Sequence, residues 1–387
     1  MSCFRVAHTG DVHIEQDRYF EDTAQCVDWF VEDAVRAEVN LFVLDGDLTT
    51  YKQTIEERKF WIDALIRMSE HAPVLLVAGN HGKELEGDLY PLAKVKGKHL
   101  VHLSTEPEFL EINGAAIATF PYPRKAELIG TSQEQSLQGA FTRQLEEFNQ
   151  RFTNHGGQSR LFFGHFGVAG ARVSGGQPLV GRCAEYPLEP LRHLQAQYVG
   201  LSHVHLRQQL APRVWYAGSL SRCDYSETED KGYHLVRLKD PEIRPDLSDL
   251  EIDFRISPTR RLVELQAVYE NGEFRFNSAL DVACLKNSRV KVIVTVAKGL
   301  HESLNREEQE KLREQLLKAS PAELKVKIEH EAETAGEPAA LSLARSSEEK
   351  LRAYWQLKSA PPGEQQERLL AKLAQVELAL FANNNDR

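Results

Sequence analysis

The 387-residue sequence predicts a layered α/β protein with a second, smaller α/β unit and helices at its C-terminus. Three observations predict this. Apolar periodicity switches repeatedly between strand and helix over the first 120 residues, and strand-like runs resume after residue 160. Composition then shifts at 240–260 and again at 330–341.

The elements follow in order. Phe4-Arg5-Val6-Ala7 reads as a strand. Residues 22–38 place Ala24, Val27, Phe30, Val31, Ala34 and Val35 on one helical face. Leu41-Phe42-Val43-Leu44 is apolar throughout, as strands covered on both faces are. A second helix fills 55–70, and Val74-Leu75-Leu76-Val77 forms another buried strand. Phe109 to Phe120 reads as a hairpin turning at Asn113-Gly114. A helix over 133–152 precedes strands at Leu161-Phe162-Phe163, Tyr198-Val199-Gly200-Leu201, Val214-Trp215-Tyr216 and Tyr233-His234-Leu235-Val236.

Pro241, Pro245 and Pro258 punctuate an acidic stretch where a boundary is expected. The small unit offers a strand at Val290–Val296, a polar helix over 304–318 and a strand at Leu324–Ile328. A Glu/Ala/Gly/Pro-rich linker and two helical pieces broken at Pro361-Pro362-Gly363 follow. The expected division is 1–250, 260–332, a linker at 333–345 and a C-terminal segment at 346–387.

Composition narrows the function classes. Apolar residues at 42% and charged residues at 27% exclude a chain disordered throughout. No run approaches ~18 consecutive apolar residues, so no membrane span is expected. The N-terminus lacks a signal-peptide pattern. Five scattered cysteines without a CxxC pair argue against a disulfide framework or zinc finger and for a reducing, cytoplasmic setting. A net charge of −10 is not a nucleic-acid signature, although a total can hide a local patch.

The fourteen histidines carry the chemistry. Asp11-Val12-His13, Gly46-Asp47, Gly79-Asn80-His81, Gly164-His165 and His203-Val204-His205 each stand at or shortly after an apolar run. In an α/β sheet the loops after strand C-terminal ends converge on one edge. Imidazole, carboxylate and amide oxygen suit Mn²⁺, Fe²⁺ or Zn²⁺. Seven or eight such donors exceed one tetrahedral ion but fit two that share a carboxylate. Two ions roughly 3.5–4 Å apart would clamp a phosphate for in-line attack. One histidine after a strand is ordinarily a satisfied polar residue, and a lone Gly-Asp a turn. Five clusters in order are hard to assign to chance.

These motifs in this order resemble the calcineurin-type metallophosphoesterases and, within them, the SbcD-type nucleases of DNA double-strand-break repair. The closer resemblance rests on Gly164 to Ala171, Tyr198 to Arg207, and Tyr216-Ala217-Gly218-Ser219-Leu220-Ser221-Arg222 followed by Lys231-Gly232-Tyr233. It covers residues 4–238 well and the remainder only by layout. It implies a β-sandwich core flanked by helices and an α/β capping domain. It implies that Asp11, His13 and His205 hold one ion, that Asn80, His165 and His203 hold the other, and that Asp47 bridges them. His81 would face the scissile phosphate. Two divalent ions, Mn²⁺ first among them, are the implied cofactors.

Three positions depart from the family pattern. Gly82 stands where an acidic residue usually orients the preceding histidine, with Asp45 or Glu84 as substitutes. Ser202 stands where glycine usually precedes His-x-His, at a cost if the backbone there needs positive φ, and Gly10 stands where serine is common.

Residues 160–222 hold seven arginines and two acids, a local charge of 7 − 2 = +5. Arg172, Arg182, Arg207 and Arg222 are the expected phosphate contacts, independent of base sequence. The C-terminal helices, with Leu351, Tyr354, Trp355, Leu369, Leu370, Leu373, Val376, Leu378 and Leu380, would pack on the body or dock on an SbcC-type SMC-like ATPase. The resemblance also implies a homodimer. The expectation is a DNA-end nuclease. The alternatives are a small-nucleotide phosphodiesterase and a weakly catalytic DNA-end scaffold.

Overall fold

The computed structural model describes residues 3–123, 134–155, 159–174, 176–177, 179, 185–238, 250–270, 273–277, 282–296, 306–330 and scattered helical positions between 351 and 370. Arg182, the linker and nearly all of the C-terminal segment lie outside the described residues. The chain divides into two units, the first reaching Glu264 and including Asp281–Val290 and Ala319–Glu323. Among the described residues, no helix is long and apolar enough to cross a membrane.

The first unit holds two six-stranded sheets. One runs β14-β13-β1-β2-β3-β4, from strands β1 (Phe4–Thr9), β2 (Leu41–Asp45), β3 (Val74–Val77), β4 (Val101–Ser104), β13 (Gly232–Leu238) and β14 (Leu250–Ile256). The other runs β11-β12-β10-β7-β6-β5, from β5 (Glu108–Ile112), β6 (Ala115–Phe120), β7 (Ser159–His165), β10 (Tyr198–Ser202), β11 (Gln208–Ala211) and β12 (Val214–Tyr216). A short pair, β8 (Gly167–Val168) and β9 (Glu185–Tyr186), lies beside them in sequence.

Strand alternation explains the apolar runs. Val6, Leu41, Val43, Leu75 and Val77 of the first sheet share a core with Ile117, Leu161 and Phe163 of the second. The intervening Ala7, Phe42, Leu44, Val74 and Leu76 face the other way, into a core with helices α1 (Phe20–Arg36) and α2 (Ile55–Ser69). The second sheet's outer face carries Ala116, Phe162 and Val199 against Phe141, Leu145, Phe148 and Phe152 of α3 (Glu134–Asn154). This is the expected sandwich between helical layers. Helix α2 starts at a capping box, in which Thr54 Oγ1 accepts the Glu57 N–H at 3.2 Å and Glu57 Oε2 accepts the Thr54 N–H at 3.0 Å.

A buried polar chain crosses between the sheets. Arg207 Nε donates to His234 Nε2 at 3.0 Å, which makes His234 Nδ1 the protonated nitrogen facing the Tyr198 hydroxyl at 2.9 Å. Tyr198 meets His8 Nδ1 at 2.9 Å, and His8 Nε2 lies 3.3 Å from Asp45 Oδ2. Each link orients the next, from a guanidinium to a carboxylate. Burial pushes the Tyr198 hydroxyl well up and His234 well down, so both remain neutral.

Part of the acidic, proline-punctuated stretch is a strand: β14, with sequence LEIDFRI, pairs with β13 over seven residues at the sheet edge. An edge strand tolerates such charge, and that hid it from a hydropathy reading.

The second unit centres on a four-stranded sheet, β16-β15-β17-β18, from β15 (Leu262–Glu270), β16 (Glu273–Phe276), β17 (Arg289–Val296) and β18 (Glu323–His330). In β17 burial alternates, with Val290, Val292, Val294 and Val296 inward, as in a sheet covered on one face. A helix at Arg306–Leu317 buries Leu312 and Leu316.

Candidate metal centre

β1, β2 and β3 run parallel, as do β7 and β10, so their C-terminal ends gather the five motifs. The loop after β1 lies along the loop after β2: Asp11 N–H donates to Gly46 O at 3.0 Å and His13 N–H to Asp47 O at 2.9 Å. Four donor residues take positive φ, at 49° for Asp11 and His13, 54° for Asp47 and 90° for His203. Such backbone costs on the order of 1–3 kcal/mol per residue and concentrates at functional sites. Gly46, at φ +77°, packs so close to His165 that a Cβ would overlap Nδ1.

Two groups of donors result. Asp11, His13 and His205 place one donor atom each within 4.8 Å of one another, and so do Asp47, His165 and His203. Asn80 Oδ1 joins the second group, 2.8 Å from His203 Nδ1. Asp47 reaches both groups, with Oδ2 3.2 Å from His165 Nε2 and 3.7 Å from His13 Nε2. Backbone N–H groups hold the two carboxylates. His203 N–H donates to Asp11 at 2.9 and 3.1 Å, and His81 N–H to Asp47 Oδ1 at 2.8 Å.

This donor set fits divalent cations. His165 donates from Nδ1 to the Asp45 carbonyl at 2.8 Å, and its buried Nε2 has no aligned hydrogen-bond partner. His205 Nδ1 lies 2.7 Å from Glu227 Oε1, and its Nε2 meets His13 Nε2 at 3.1 Å. Second partners that fix the tautomer are characteristic of ligating imidazoles. The field agrees. Burial opposes charge on His165, yet Asp47 and then Asp11 and Asp45 push it up to about 10. Burial would raise Asp47, but His165 and His13 hold it well below the usual carboxylate range. Burial pushes Asp11 up to about 6 and holds His13 and His203 down to about 3, leaving each of these imidazoles neutral at neutral pH with one lone-pair nitrogen. The centre is a concentrated negative field with imidazole lone pairs, which a cation would satisfy.

The three departures have structural reasons. A Cβ on Gly10 would overlap both the Asp45 carbonyl oxygen and Ser202 Oγ, so a serine has no room there. Ser202 does not take positive φ, whereas His203, the next residue, does, so serine costs nothing on that account. Gly82 has φ +59°, and a Cβ there would run into Thr49 Oγ1, so an acidic side chain has no room. Neither substitute acid reaches His81. Asp45 faces His8, and Glu84 accepts three backbone N–H groups, from Asp47 at 3.1 Å, Leu48 at 2.6 Å and Gly79 at 2.7 Å. Burial, then the charge of Asp47, raises the Glu84 carboxyl, and the three N–H donors pull it back towards the ionised form.

His81 stands exposed, its ring 5.0 Å from that of His13, at a cavity of about 180 Å³. His13, His205, Arg18, Tyr19, Thr50 and Arg222 also line it. Arg222 donates from Nε, Nη1 and Nη2 to the carbonyls of Glu227, Thr259 and Glu229, at 3.0, 3.3 and 2.7 Å. Arg207 is tied to His234 and stacks over Phe254 at 4.5 Å. Both guanidiniums thus also hold fold contacts, and Arg222 lines the cavity. Arg172 is exposed. Sequence reasoning missed Glu227 and its partner Lys231, 3.3 Å away and buried. It also missed Tyr122, whose ring lies 5.5 Å from that of His203. Only Lys231 carried a signal, in Lys231-Gly232-Tyr233.

Among solved structures, the TT1561 protein of Thermus thermophilus aligns over 65% of this chain and 99% of its own, with 13% identity and a TM-score of 0.38. A dimetal phosphatase from Danio rerio covers 65% of this chain and 98% of its own, at 13% and 0.36. Purple acid phosphatase PPD1 from yellow lupin covers 66% and 52%, at 12% and 0.38. The calcineurin-like phosphoesterase family model matches residues 4–206, more than half of the chain and every motif up to His205. With its donors on the strand ends of a two-sheet sandwich, the chain belongs to the calcineurin-like phosphoesterase family.

Proposed function

We propose that this metal-dependent phosphoester hydrolase is a nuclease of the SbcD type, cutting phosphodiester bonds at DNA ends with Mn²⁺. The observation that carries the hydrolytic reading is the pair of donor groups joined by Asp47 beside an exposed His81. The DNA reading rests on the resemblance of Gly164–Ala171 and Tyr216–Tyr233, with Arg172 exposed between them. The partner would be an SMC-like ATPase docked on the C-terminal helices, and the working form a homodimer.

Bound at this centre, two divalent cations would supply Lewis acidity toward the phosphate and lower the pKa of an attacking water. Asp11, His13 and His205 would hold one, Asn80, His165 and His203 the other, with Asp47 between. The Asp45 carbonyl and Glu227 keep His165 and His205 in single tautomers, so the donor geometry needs little reorganisation. The His81 backbone N–H anchors Asp47, and this places its imidazole at the cavity. From there the imidazole would donate to a phosphate oxygen and protonate the leaving oxygen.

The test uses linear duplex and single-stranded DNA with Mn²⁺, with and without EDTA, beside Asp11→Ala and His81→Ala. The expected outcome is EDTA-sensitive degradation that both variants lose. Metal binding with hydrolysis of a small diester but not of DNA would replace the nuclease by a nucleotide phosphodiesterase.

A further inference from the structure

We infer that Glu84 is a positioning residue for the dinuclear centre, doing through the backbone what the acidic residue missing at position 82 does elsewhere in the family. The inference rests on the two-cation reading above.

Glu84 is 1% exposed and starts a short 3₁₀ turn at Glu84–Glu86, after Lys83 in the left-handed region. Its Oε2 accepts the N–H groups of Asp47 and Gly79, and its Oε1 that of Leu48. One side chain therefore joins two loops. The first carries Asp47, which reaches both donor groups, and the second carries Asn80 and His81. Asp47 sits at φ +54°, and its N–H is one of the three held by Glu84. The same Asp47 then accepts the His81 N–H. Glu84, Asp47 and His81 thus form a relay of backbone contacts that sets the bridging carboxylate and the cavity imidazole together. The chain turns tightly at Gly82, where Thr49 leaves no room for a side chain, and the next inward position is Glu84.

Glutamine has nearly the same shape but offers one oxygen. Its amide nitrogen would face at least one backbone N–H, so that loop contact turns from attraction to repulsion. Aspartate keeps the charge on a shorter arm that cannot span all three donors.

The test is Mn²⁺ binding by calorimetry, with electron paramagnetic resonance of the loaded protein, on wild type, Glu84→Gln and Glu84→Asp. Circular dichroism and metal-free melting establish which variants fold. Wild type should bind two ions and show the exchange-coupled signature of a close pair. Each folded variant should bind about 10–100-fold more weakly, as supporting partners of metal ligands typically do. Each should also lose the coupled signature. Wild-type affinity and coupling in either folded variant overturns the positioning role. Failure of both variants to fold also overturns it, since Glu84 is then a general structural residue. Failure of wild type to bind a pair of ions sinks the underlying reading instead.

Discussion

The two halves of the centre are built differently. The half of Asp11, His13 and His205 borders the cavity, and its His205 is oriented by a carboxylate, Glu227, on a segment more than twenty residues further along. In the half of Asp47, His165, His203 and Asn80, His165 is oriented by a backbone partner, the Asp45 carbonyl. A backbone partner belongs to the sheet and cannot be removed without moving a strand end. A side-chain partner can be changed alone. The inner half should therefore be the rigid reference and the cavity half the adjustable one.

Asp47 belongs to both, so Asp47→Asn should break the comparison outright. Both cations should be lost in elemental analysis, and kcat should fall on the order of 10³-fold, equivalent to several kcal/mol of charge stabilisation. Loss of a single cation would show that the halves are independent.

Glu227→Gln should act on the cavity half alone. One of two Mn²⁺ ions should bind on the order of 10-fold more weakly, while the other keeps its affinity. Equal weakening of both, by calorimetry, would erase the distinction.

The seam between the halves is the Gly10–Ser202 contact, one residue before Asp11 and one before His203. Gly10→Ser should destabilise by about 1–3 kcal/mol in denaturant unfolding, through overpacking. Adding Ser202→Gly should recover only part of that loss, because the Asp45 carbonyl oxygen still stands against the new Cβ. An uncoupled double-mutant cycle would refute the compensation.

Tyr198→Phe removes a hydroxyl that serves both His8 and His234 in the chain reaching Asp45. A loss of about 1–3 kcal/mol is expected with both metal sites still filled. Metal loss would mean that the polar chain helps hold His165.

The smallest effect concerns acid. Burial raises Glu227, but His205 and then Lys231 outweigh it and hold the carboxyl down to about 2, below its ordinary value of 4.5. A depressed carboxyl stabilises the fold above its ordinary value, and that contribution is lost as pH falls towards 2. In metal-free protein, Glu227→Gln should flatten the stability profile between about pH 4.5 and 2. An unchanged slope would mean that Glu227 keeps its ordinary value.

Much of this was legible in the sequence. Buried strands announced themselves as runs such as Leu41–Leu44 and Val74–Val77, and α1 and α2 by the spacing of their apolar residues, because those signals are local. The motif residues stood out because polar donors at the ends of apolar runs are unusual. Strand β14 did not, since an edge strand can be as charged as a loop. The partners of Arg207 and Arg222, His234 and three carbonyls, were not legible, because composition counts charges without their contacts.

By itself the sequence determined the layered α/β class, the order of strands and helices in the core and the residue types of the centre, all set by neighbours a few positions apart. Only the tertiary structure decided that Gly10 and Ser202 answer one another across 192 positions. Only it decided that Glu84 faces backbone rather than His81, and that Glu227 is the partner of His205. Those are pairings between strand ends and loops distant in sequence. They depend on how two sheets and their loops pack, and no local pattern of residues encodes that.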